Sequence, residues 1–172
     1  MINAVRIINR RLEWTITYQK EGRFLMPTYT AFDIANYFLL KAKEDNQELL
    51  SNLKLQKLLY YAQGIHLVMF NKSLFNEKIE AWTYGPVVPD VYHFYKKHGN
   101  KGILPNRAFK SSSIDTDTRE FLNEIYTVFG QFSAIRLMEI THTDRCWQDT
   151  GIGKTITCKA MQRDLKKYLK DE

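Results

Sequence analysis

Cysteine and histidine are both scarce. The chain carries two cysteines, Cys146 and Cys158, and four histidines, His66, His93, His98 and His142. Two cysteines without Cys-x-x-Cys spacing exclude a disulfide scaffold. No histidines fall in an HExxH or another tight pair, so no metal site is expected. No apolar run approaches the ~20 residues of a membrane-spanning helix. The start, Met1 to Arg11, mixes Asn and Arg among short aliphatics and lacks the apolar stretch of a signal peptide. Internal repeats and low-complexity tracts are also missing. Together these absences point to a soluble, cytoplasmic chain without a membrane role.

What remains suits one domain with a small appendage: 172 residues, of which 44% are hydrophobic and 26% charged. Lys and Arg outnumber Asp and Glu by 25 to 19, and the excess gathers in three stretches. Arg6, Arg10, Arg11, Lys20 and Arg23 lie near the start. Lys96, Lys97, Lys101, Arg107 and Lys110 follow one another with no acid between them. Lys154, Lys159, Arg163, Lys166, Lys167 and Lys170 line the last segment. The plain reading is three solvated surfaces. The alternative is a patch for an acidic protein or a nucleic acid.

The periodicity changes along the chain. Leu12, Trp14, Ile16 and Tyr18 alternate with polar residues, and Phe24-Leu25-Met26 follows a Lys20–Arg23 turn, so residues 1–27 read as an N-terminal β-hairpin. From Thr30 the spacing is helical. Thr30 caps a helix through Ala31, Ile34, Ala35, Phe38 and Ala42. Ser51 caps a second, running to about Phe70, whose apolar residues occupy most of its girth and mark it as central. Ile79–Tyr84 is short and β-leaning, stopped by Gly85-Pro86. Pro89 opens a helix that Gly99 ends. Asp117 with Glu120 caps a helix ending at Gly130. Ser133 caps a shorter one, and Thr155 caps the last. The fold class is therefore mainly α, a compact bundle of about six helices with a small sheet at the N-terminus.

Catalytic chemistry is hard to find. Gly151-Ile152-Gly153-Lys154-Thr155 resembles the end of a P-loop, but Gln148 stands where that motif needs its first glycine. His142, Asp144 and Cys146 are close in sequence, yet nothing around them resembles a nucleophile turn, and a structural role is the simpler reading. No catalytic residue, cofactor or metal is assigned, and the chain is not expected to be an enzyme.

Two stretches are distinctive. Lys54-Leu55-Gln56-Lys57-Leu58-Leu59-Tyr60-Tyr61-Ala62-Gln63-Gly64 sets polar and aromatic residues at helical spacing. Ile79-Glu80-Ala81-Trp82-Thr83-Tyr84-Gly85-Pro86-Val87-Val88-Pro89-Asp90-Val91-Tyr92 follows. Together they closely resemble the Panacea domain, the SocA-like antitoxins that include phage-associated proteins of the GepA type. Tyr29–Phe38 is similar to the family's opening helix, and Thr141-His142 followed by Trp147 to its late signature. The resemblance covers residues 28–169, and the helical domain is placed at 28–172. It implies a helical, non-enzymatic antitoxin, found in bacteria, prophages and mobile elements. Such a protein neutralises a toxin, commonly from an adjacent gene, by protein contact. A DNA- or RNA-binding regulator is the alternative, motivated by charge alone. Residues 1–27 lie outside the family core and read as a folded appendage, with leader sequence ahead of Met26 the competing reading.

Lys57, Tyr60, Tyr61, Gln63, Glu80, Trp82 and Tyr84 are the candidate partner-binding residues, packed into a concave aromatic surface. The competing reading makes them a second core. Gly64, Gly85, Pro86, Thr141, His142 and Trp147 are assigned to structure, Gly64 marking a close helix approach.

Overall fold

The computed structural model describes residues 29–45 and 48–169. Seven α-helices and one two-stranded sheet are present among them. Helix α1 is Ala31–Glu44 and α2 is Asn52–Phe70. Strands β1 (Glu80–Trp82) and β2 (Gly85–Val87) form an antiparallel hairpin. Helices α3 (Pro89–Tyr95), α4 (Thr116–Phe129), α5 (Ala134–Thr141), α6 (Arg145–Gln148) and α7 (Cys158–Asp164) follow, and a 3-10 turn, Leu165–Tyr168, closes the described chain. None of these helices is long and apolar enough to cross a membrane.

Local chemistry sets the helix ends. Thr30 and Asp33 form a reciprocal capping box: Asp33 N–H donates to the Thr30 hydroxyl, and Thr30 N–H to the Asp33 carboxylate. Ser51 caps α2 and Ser133 caps α5 through their side-chain oxygens. Helix α2 stops at Asn71, whose left-handed backbone (φ 54°) asparagine tolerates better than most residues. Two caps differ from the sequence reading. Asp115, not Asp117, caps α4, accepting from Thr118 N–H at 2.8 Å. Thr157, not Thr155, caps α7. In both places two cap-competent residues stand two apart, and periodicity alone does not choose between them.

Helix α2 is the axis of the domain. It touches α1, α3, α4, α5, α7, β2 and the C-terminal 3-10 turn. Leu55, Leu58, Leu59, Ala62 and Ile65 are fully buried along it, so its burial rather than its intrinsic propensity stabilises it. Gly64 lies where α2 meets the C-terminal segment. A Cβ at that position would sit 2.1 Å from Leu165 Cδ1, so the glycine permits the close approach.

The sheet is not where the alternation suggested. The proposed N-terminal hairpin and residues 1–27 lie outside the described residues. The observed hairpin is mid-chain, and Gly85-Pro86 belongs to its second strand rather than ending the first. Proline is tolerated there because no ladder N–H is required opposite Ala81, whose own groups bond outward, and the Pro86 carbonyl accepts from Lys57.

A hairpin clamp and an adjoining groove

The polar residues of α2 are held inside the protein. Lys57, Tyr60, Tyr61 and Gln63 are each at most 2% exposed. Burial of such groups is tolerable only when they are bonded, and they are. Gln63 binds the backbone of the next turn three times: its side-chain oxygen accepts from Leu74 and Phe75 N–H at 2.8 and 3.2 Å, and its amide donates to Phe75 O at 2.9 Å. Gln56 accepts from Val88 N–H and donates to Asn52, whose amide reaches Tyr92 O. Lys57 Nζ donates to Pro86 O at 3.0 Å. With no carboxylate partner there, burial lowers its pKa to about 7. In the free chain these heads are occupied by the crossing segments.

The other motif residues converge on the hairpin. Gly85 has φ +92°, and a Cβ there would lie 2.6 Å from Thr141 Oγ1 and 2.9 Å from Lys57 Nζ. Both the backbone angle and the space call for glycine. Trp147 donates through its indole N–H to Trp82 O at 3.1 Å, and His142 stacks on Trp147 with ring centroids 4.1 Å apart. Burial, and then the nearby Lys57 charge, lower the His142 pKa. The outer edge of β1 is covered by the glycine loop: Ala81 exchanges bonds with Lys154 O and Gly153 N–H, and Ile156 N–H reaches Ile79 O. Two of the loop N–H groups that a P-loop would aim at phosphate are thus spent here. Gly153 donates to Ala81 O and Lys154 to Gly151 O.

Asp144 is the anchor of a second buried network. It is fully buried and accepts from Tyr60, Tyr61 and Tyr168 hydroxyls, while Lys167 Nζ stands 2.8 Å away. Desolvation raises its pKa against these donors. Cys146 pairs with the Tyr60 hydroxyl, and burial pushes its thiol up to about 12. A thiol held protonated is not an activated nucleophile, so these residues tie α2 to the C-terminal segment.

Three of the candidate partner-binding residues reach the surface. Glu80 and Trp82 are half-buried and bonded to each other at 2.9 Å. Tyr84, at the hairpin turn, is 66% exposed. Trp82 and Tyr84 open onto a groove of about 1300 Å³ between the hairpin, the start of α2, the end of α3 and the start of α5. Ile135 and Ile152, 56% and 63% exposed, line the same groove. Sequence reasoning missed both. Ile152 stands between the two glycines of the loop, and Ile135 sits in the apolar run of α5, so neither is marked as a surface group by its neighbours.

The charge is also located. Lys96, Lys97, Lys101, Arg107 and Lys110 are all exposed, and Lys96 lines the groove. The N-terminal basic residues and Lys170 lie outside the described residues. At the C-terminal end Lys154, Lys159, Arg163 and Lys166 are exposed, whereas Lys167 is drawn onto Asp144.

Comparison with known proteins follows the same residues. The family described as "Antitoxin SocA-like, Panacea domain" matches residues 55–148, from the first turn of α2 through α6. Antitoxin SocA of Caulobacter vibrioides (strain NA1000 / CB15N) is 37% identical over 120 residues, covering 63% of this chain and 63% of the relative. The chain thus spans under two thirds of that relative's length. No solved structure matches. The matched span holds the buried face of α2, the hairpin and the Thr141–Trp147 clamp, and the chain belongs to the SocA-like antitoxin family of Panacea domains.

Proposed function

We propose that this chain is an antitoxin that blocks a partner toxin by direct protein contact. The partner would be encoded beside it, and its docking place is the groove beside the hairpin. The observation that supports this reading most is the coincidence of family and surface. The family match covers the hairpin frame, and that frame presents Tyr84 and Trp82 to an open groove with exposed Ile135 and Ile152. Exposed apolar groups gathered in one concavity are what protein interfaces use, and tyrosine and tryptophan are favoured there. The Cys146 thiol in the buried network is held protonated, and Gly153 and Lys154 of the glycine loop spend their N–H groups on β1 and on the loop itself.

The test is co-expression. The neighbouring gene is induced in bacteria with and without this chain, and growth is followed. Rescue, together with co-purification of the two proteins, supports the proposal. A neighbour that is harmless alone, or rescue without any complex, overturns it. Duplex binding with a steep salt dependence and no protein complex would favour a nucleic-acid regulator instead.

A further inference from the structure

Resting on the reading of the groove as the toxin-contact site, we infer that it receives an amphipathic helix of the partner whose flanks are acidic. Size comes first. A volume of about 1300 Å³ exceeds the ~300–1,000 Å³ of small-molecule pockets. The groove therefore suits a polypeptide segment.

The hairpin decides which kind of segment. An added strand needs a free sheet edge with outward N–H and C=O groups. Neither edge is free. The outward groups of β1 at Ala81 are taken by Gly153 and Lys154. On β2 the outward residue is Pro86, which has no N–H, and its carbonyl is held by Lys57. Recognition must then come from side chains in pockets. The apolar anchors belong to three separate segments, Tyr84 at the hairpin turn, Ile135 on α5 and Ile152 in the glycine loop, all facing one groove. Anchors spread across a concavity in this way fit the i, i+3/i+4, i+7 face of a helix.

Charge complementarity sets the flanks. Lys54 and Lys96 line the groove against Glu48. The Lys54 head is held by Gly130 O at 2.7 Å, which leaves Lys96 as the free cation of the wall. Beyond it Lys97 and Lys101 are exposed, and no acid occurs from Lys96 to Lys110. Lys154, the chain neighbour of the lining residue Gly153, is also exposed. Among the described residues none of these four lysines has an ion-pair partner. A neutral or basic helix would leave them unanswered, whereas Asp and Glu flanking the apolar face would complement them.

A displayed library of random peptides about four helical turns long, selected on the full chain, tests this. Expected winners carry apolar residues at i, i+3/i+4 and i+7 with Asp or Glu between them. The best synthetic winner should bind at least ~10-fold more weakly to Ile135→Ser and to Ile152→Ser. Lys96→Glu/Lys97→Glu should weaken binding similarly and flatten its salt dependence. Each of these variants should keep the parent melting temperature. Enrichment of basic or strand-forming peptides would overturn the inference. So would enrichment no greater than on an unrelated protein, or winners indifferent to all three variants. A duplex DNA oligonucleotide that displaces the winning peptide and binds more tightly than it would overturn it as well. Failure here with growth rescue intact removes only the helix assignment. Loss of rescue by the parent chain strikes the antitoxin reading itself.

Discussion

The buried face of α2 and the groove beside the hairpin invert the usual placement of polar and apolar residues. On α2, Asn52, Gln56, Lys57 and Gln63 are polar, buried and bonded to backbone of the segments that cross them. In the groove, Tyr84, Ile135 and Ile152 are exposed and unburied by the chain's own packing. The first region spends its polar groups on itself, and the second leaves apolar groups unspent. A motif dense in glutamine and tyrosine therefore defines a frame, while the exposed apolar groups of the groove include two, Ile135 and Ile152, that no motif marks.

The comparison breaks first if α2 is not the axis. Leu58→Ala or Leu59→Ala should each cost about 2–5 kcal/mol, read by chemical denaturation, because both are fully buried. A loss below ~1 kcal/mol would mean the helix is peripheral.

Lys57 gives the next largest effect, and its sign is fixed. Burial lowers its folded-state pKa from 10.5 to about 7. Above the folded value and below the unfolded one, only the unfolded chain holds the proton. Stability should then rise from about pH 7 toward pH 10, by up to ~1.4 kcal/mol per unit. Lys57→Met should flatten that slope. A parent slope of zero or the opposite sign would show an amine kept charged. His66 acts lower on the scale. It donates from Nδ1 to Lys72 O, and burial lowers its pKa from 6.5 to about 4. Stability it contributes is present above pH 6.5 and is lost as pH falls toward 4, a loss that His66→Gln should reduce.

The smallest stability effects belong to the groove. Tyr84→Ser and Ile152→Ser remove exposed side chains and should change stability by no more than ~0.5 kcal/mol. A larger loss would move these residues from the contact surface to the frame.

Much of the frame was legible because helix signals are local. Thr30, Ser51 and Ser133 each precede an apolar period and each caps its helix. The short sheet was misread for a physical reason. Pro86 looks like a stop, but it stands opposite Ala81 with no ladder N–H required of it, an edge position that only the pairing register reveals. Gln63 and Tyr60 were visible as unusual, but sequence spacing does not say whether a polar face meets solvent or backbone. The groove was legible only at Trp82 and Tyr84. Its exposed isoleucines, Ile135 and Ile152, are brought beside them by α5 and the glycine loop, and nothing local to either announces that meeting.

The most direct test of the central claim pairs two substitutions, Gln63→Ala and Tyr84→Ala, and measures melting temperature and toxin neutralisation for both. Gln63→Ala strips three bonds from Leu74 and Phe75 and should lower stability by on the order of 3 kcal/mol. Its neutralisation should fail only where the protein unfolds. Tyr84→Ala should keep the melting temperature and weaken neutralisation. The account is contradicted if Gln63→Ala loses neutralisation while folded as stably as the parent, and Tyr84→Ala neutralises in full.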